Sequence, residues 1–71
     1  MQNLPELLAL HSKAIHILNE IQIQDDRIVF WIKVDNKARC TEAIELKTIL
    51  MPEYAKVIKS INLIINDPLL G

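Results

Sequence analysis

The residues of this chain best suited to chemistry are two histidines, one cysteine and a scatter of aspartates. His11 has the type and setting for a general base or a metal ligand. His16 follows five positions later. On a helix, positions i and i+5 lie about 140° apart, so the two rings cannot readily grip one ion; an i,i+4 pair would be needed. His11 therefore reads as a partly buried histidine satisfied by a backbone carbonyl. Cys40 is the only thiol. A nucleophilic cysteine needs a base and a depressed pKa; Arg39 is beside it, but no base is near in sequence. Asp25, Asp26, Asp35 and Asp67 all fall at expected turns, where side-chain to backbone hydrogen bonds account for them. The sequence thus assigns no catalytic residue, no metal ligand, and no cofactor or small-molecule ligand.

The glycine content sharpens this. Gly71 is the only one. A phosphate-cradling loop needs backbone amides at close approach, which glycines permit, and a nucleophile elbow needs small residues around a sharp turn. Neither pattern is present. Turns must be built from Asp, Asn or Pro.

At 71 residues the chain amounts to one small domain, 1–71, and 51% of it is hydrophobic, which a disordered chain does not carry. A chain of this size hides only about 60% of its surface when folded alone. The usual remedies are disulfides, a metal or a partner. One cysteine cannot form an internal disulfide, so a protein partner or self-association is expected. The net charge of −1 favours neither a nucleic acid nor an acidic surface. Charge is unevenly spread: residues 1–26 are acidic and 27–59 basic, and the two parts are expected to complement each other within one fold. No secretory leader and no membrane-spanning run is apparent. With a lone cysteine, that points to a cytoplasmic protein.

Stepping along the chain, residues 4–20 predict an amphipathic helix, capped by Asn3 with Pro5 in its first turn. Leu4, Leu7, Leu8, Ile15 and Leu18 form an apolar stripe. Leu10, Ala14, Ile17 and Ile21 widen it to about half the circumference, more than one neighbour would cover. The alternation of Ile21–Gln24 then predicts a strand, Asp25–Asp26 a turn, and the β-branched and aromatic run Ile28–Val34 a second strand. Asn36 is expected to take a left-handed conformation at the end of that strand. Thr41 is a plausible N-cap for a helix to residue 50, with a third strand over Arg39–Leu46 as the alternative. Pro52 is expected to end or kink that helix and start the next, which Asn66 and Pro68 terminate. In that last helix Tyr54, Val57, Ile58, Ile61, Ile64 and Ile65 share an arc of about 120°. The predicted fold is α+β: helix, β-hairpin, helix, helix, with the helices packed on one face of an antiparallel sheet.

Trp31 carries the functional expectation. A two-residue turn at Asp25–Asp26 places Ile21, Ile23, Ile28, Phe30, Ile32 and Val34 on the core face. The other face is polar except for Val29 and Trp31, with Arg27 and Lys33 flanking them. A three-residue loop, Asp25–Arg27, would reverse the pairing of faces. In the first register Val29, Trp31, Arg27 and Lys33 form a partner-binding patch, since Trp and Arg are enriched where binding energy concentrates. The expected function is a small regulatory or protein-binding module, a homodimer or complex subunit acting without catalysis. The alternative is a DNA- or RNA-binding regulator, with the 41–66 helix pair imitating a helix-turn-helix and Lys56 and Lys59 exposed.

Overall fold

The computed structural model describes residues 4–66, and it is an antiparallel helical hairpin. Helix α1 spans Leu4–Lys33 and helix α2 spans Lys37–Ile65. No strand occurs among the described residues, so the α+β expectation is corrected to an all-helical one.

The physical reason lies in a longer repeat. In α1 the residues Leu7, Leu10, Ala14, Ile17, Ile21, Gln24, Ile28 and Trp31 recur at alternating steps of three and four. In α2 the same steps join Cys40, Ala43, Lys47, Leu50, Tyr54, Val57, Ile61 and Ile64. These are the a and d positions of a heptad, abcdefg, sustained over four repeats in each helix. All sixteen are buried or half-buried. Ala14, Ile17, Ile21 and Val57 form the buried centre, with Leu10, Leu50, Tyr54 and Ile61 packed against it. Counting outward from the turn opposes small to large: Cys40 to Trp31, Ala43 to Ile28, Ala14 to Val57. Such pairing lets two helices approach closely without leaving voids.

Each expected interruption of the helices has a specific resolution. Ile21–Gln24 alternates in type, but Ile21 and Gln24 both lie on the seam, and that packing overrides strand propensity. The supposed turn residues are helical. Asp25 reaches across to Lys47, Oδ1 to Nζ 2.7 Å. Asp26 accepts from Gln22 one turn back, at 3.3 Å. The Ile28–Val34 run is rich in strand formers, yet no proline or glycine stands between Glu6 and Met51 to stop a helix. Pro52 lies inside α2. It is exposed and occupies the side turned away from the seam, so the carbonyl that its missing N–H releases faces water rather than apolar side chains.

The turn is Val34–Asn36. Asp35, not Asn36, takes the left-handed conformation, at φ 55°; aspartate tolerates it because its short polar side chain can bond locally. Asn36 is the N-cap of α2, its Oδ1 accepting from the Arg39 amide at 3.1 Å. Thr41, expected in that role, lies one turn inside, where its hydroxyl donates to the Lys37 carbonyl at 2.9 Å. Neither the helix start at 41 nor the third strand over Arg39–Leu46 is observed. Asn66 caps the C-terminus of α2 as expected. Asn3, Asp67 and Pro68 lie outside the described residues. Glu6 in the first turn of α1 and Lys33 in its last complement the helix dipole.

One seam layer is polar. Gln24 is buried at a d position, and its Oε1 accepts no hydrogen bond among the described residues. Lys47 stands opposite at an a position and turns its ammonium to Asp25 on the rim. A polar pair in an apolar seam specifies register at a cost in stability. Gln24→Leu is accordingly expected to stabilise the hairpin by about 1–3 kcal/mol, because a desolvated acceptor is removed. Urea denaturation followed by circular dichroism would measure it. A loss of stability would mean that the Gln24 amide is hydrogen-bonded in solution.

Candidate functional site

The residues that sequence reasoning chose for chemistry do not converge. His11 and His16 are both exposed, on different sides of α1. The expectation that His11 is partly buried is therefore not met. Cys40 is a free thiol, half-buried in the seam near the turn. No group of three or more His, Cys, Asp or Glu side chains suited to a metal occurs among the described residues.

The four residues of the expected binding patch are not brought to one face either. They were selected at every second position, which shares a face only on a strand. On a helix such steps turn about 200° each. Trp31 is half-buried on the seam. It shares a small cleft with Gln24, Arg27, Arg39, Glu42, Ala43 and Leu46 on one side of the hairpin. Val29 and Lys33 are exposed, pointing roughly opposite to Arg27 and Trp31. The question of what covers Trp31 thus has an intramolecular answer in part: α2 lies against it, and the edge of Phe30 packs near it, ring centroids 4.8 Å apart at 67°.

The structure brings together a different set. One heptad position on from the seam, α1 carries Leu4, Leu8, Ile15, Leu18, Val29 and Ile32 at its b and e positions, interrupted by His11, Gln22 and Asp25. In α2 the e positions are Lys37, Ile44, Met51, Ile58 and Ile65, and the b positions are Thr41, Thr48, Ala55 and Asn62. In an antiparallel pair the e positions of both helices fall on the same side. The turn end bears this out: Ile32, Lys37 and Thr41 line one cleft together, while the g residues Arg27, Arg39 and Leu46 line another. The two b/e stripes therefore make a single face along the hairpin.

This face is apolar and open. Among the described residues, nine of the fifteen exposed large hydrophobic side chains lie on it: Leu4, Leu8, Ile15, Leu18, Val29, Ile32, Ile44, Met51 and Ile65. Its two threonines bond back to their own helix; Thr48 donates to the Ile44 carbonyl at 2.8 Å. They therefore present methyl groups rather than free hydroxyls. Toward the far end from the turn, an open trough of about 720 Å³ lined by Tyr54, Ala55, Ile58, Lys59, Asn62, Leu63 and Asn66 runs along α2, from the edge of this face across the outer side of the helix. Among the described residues, the charged ones at its b and e positions are Asp25, already paired with Lys47, and Lys37 at the turn end. The opposite, g/c side is mixed. It carries Glu6, Lys13, Glu20, Arg27, Arg39, Glu42, Glu53 and Lys56, with the ion pairs Arg39–Glu42 at 3.6 Å and Glu53–Lys56 at 3.7 Å. The other six exposed large hydrophobics, Ile23, Phe30, Val34, Leu46, Ile49 and Leu63, lie there among those charges.

The signal for this face was present in the sequence. The apolar arc of residues 4–21 spans half the helix, the width of two seams rather than one. Breaking α1 at Glu20 concealed that the same two seams continue to Ile32.

No family model, curated protein or solved structure matches this chain. No helix among the described residues is long and apolar enough to cross a membrane.

The helical arrangement reverses what the strand reading expects of two neighbours. Trp31→Ala removes a seam side chain and is expected to cost about 2–4 kcal/mol, at the lower edge of core truncations because the ring is only half-buried. Phe30→Ala removes a ring that is 53% exposed and is expected to cost less than about 1 kcal/mol. Thermal melts of both variants would compare them. The opposite order would restore Phe30 to the core.

Proposed function

We propose that this chain is a protein-association module that acts by occupancy, without catalysis, and docks a helical protein surface on the b/e face of its hairpin. The observation that carries this reading is the segregation of charge: among the described residues, nine of the fifteen exposed large hydrophobics lie on the b/e side, which is nearly free of charge, while the six on the g/c side are interspersed with charged residues. Single exposed hydrophobics need no explanation, but a continuous patch rimmed by polar residues marks an interaction surface. Among the described residues, no group of three or more His, Cys, Asp or Glu side chains converges, so the reading is drawn from the surface and not from a reacting site.

The nucleic-acid alternative loses its geometry. Residues 41–65 belong to one continuous helix, α2, with Pro52 inside it, so this segment does not form the two angled helices that a helix-turn-helix needs. Lys56 is paired to Glu53 on the side away from the apolar face. A cytoplasmic setting is part of the proposal, since a reducing compartment suits the free Cys40.

Thiol reactivity in a Cys40→Ala background tests the reading. Thr48→Cys places a thiol on the b/e face and Lys56→Cys places one on the opposite side; both positions are exposed in the hairpin. In extract of cells that make the protein naturally, Thr48→Cys is expected to react with maleimide at least about tenfold more slowly than Lys56→Cys, and denaturant should equalise them. Equal rates in native extract would show that no protein covers the face, and the reading would fall.

A further inference from the structure

We infer that the partner is a second copy of this chain, laid b/e face against b/e face to close an antiparallel four-helix bundle. The inference rests on the association reading above and names its occupant.

Geometry comes first. The b/e seam lies one residue on from the a/d seam, about 100° around each helix. In a four-helix bundle the helices stand near the corners of a square, and each meets two neighbours about a quarter-turn apart. A hairpin supplies one neighbour to each helix through the a/d seam. The b/e seam points where the second neighbour would stand, in both helices and on the same side. Both seams keep the three-four spacing of knobs-into-holes packing. The complement that such a face requires is a pair of antiparallel helices of about eight turns, with apolar residues at that spacing and almost no charge. The chain is itself that object.

Area and charge agree with a copy. The hairpin measures 53 × 15 × 12 Å, so its broad face offers a footprint of roughly 800 Å² per copy, the size typical of specific complexes. Doubling the face opposes no strong like charges, because Asp25 is neutralised by Lys47 and Lys37 sits at one end.

The test uses the purified full-length chain. Sedimentation equilibrium is expected to give twice the 8.2 kDa chain mass at micromolar concentration. In the Cys40→Ala background, Thr48→Cys should become protected from maleimide as concentration rises, while Lys56→Cys should not. Leu18→Glu with Ile44→Glu should weaken the dimer by at least about 100-fold, since charges would be buried without partners; Ile23→Glu with Ile49→Glu, on the g/c side, should leave it associated. Should the Leu18, Ile44 variant unfold, the labelling comparison decides alone, because it needs no destabilised protein. A monomer at millimolar concentration with Thr48→Cys unprotected overturns the inference. Protection of Thr48→Cys in native extract would then still support association, with a foreign partner. A dimer in which Lys56→Cys is the protected site also overturns it.

Discussion

The contact between the a/d stripes of α1 and α2 carries the whole fold. Ile17 and Ile21 from one helix meet Val57, Leu50 and Tyr54 from the other. No other elements exist among the described residues to share the work. A helix pair can bury only one stripe from each member, so the apolar core stays narrow. Among the described residues, five hydrophobic side chains are buried, and no side chain is fully enclosed. Backbone hydrogen bonds within the helices satisfy the main chain, but burial must offset a conformational entropy cost of about 1–2 kcal/mol per residue for the backbone alone. A seam of this width leaves fifteen large hydrophobic side chains exposed among the described residues.

The same constraint explains the polar layer. A seam of aliphatic side chains can slip by one heptad with little loss, because each knob finds another hole. Gln24 and Lys47 oppose that. Slipping would bury the Lys47 ammonium away from Asp25, which it now meets at 2.7 Å. The ion pair itself is about 40% exposed on each side, so its direct contribution is under about 1 kcal/mol. Its value is in excluding the wrong pairing. The short turn adds a second restraint. Asp35 at φ 55° and Asn36 as cap fix where α2 begins, and hence which residue of α2 faces Trp31.

The two broad sides of the hairpin differ in charge. The g/c side interleaves i,i+3 ion pairs with exposed hydrophobics. The b/e side carries exposed hydrophobics with almost no charge among the described residues. The two sides differ although the helices that bear them are the same, so the asymmetry is written into heptad positions and not into any one segment.

Several features of this protein followed from its sequence alone. The scarcity of glycine excluded phosphate loops and nucleophile elbows. Asp and Asn were the residues left to build the turn. Of the arc expected to pack in the last helix, Tyr54, Val57, Ile58 and Ile61 do pack on the core, while Ile65 is exposed. Those are properties of residue type and local spacing. What only the tertiary structure decided was the state of residues 21–34. Ile, Val, Phe and Trp favour strands when judged singly, and Ile21–Gln24 alternates like one. A period of two and a period of three and a half cannot be told apart over so short a stretch. They separate when Ile21, Gln24, Ile28 and Trp31 are seen to continue the register of Leu7, Leu10, Ala14 and Ile17 and to meet α2 along its length. Whether Val29 and Trp31 share a face depends on that choice, and the choice is made by contacts between residues far apart in the chain.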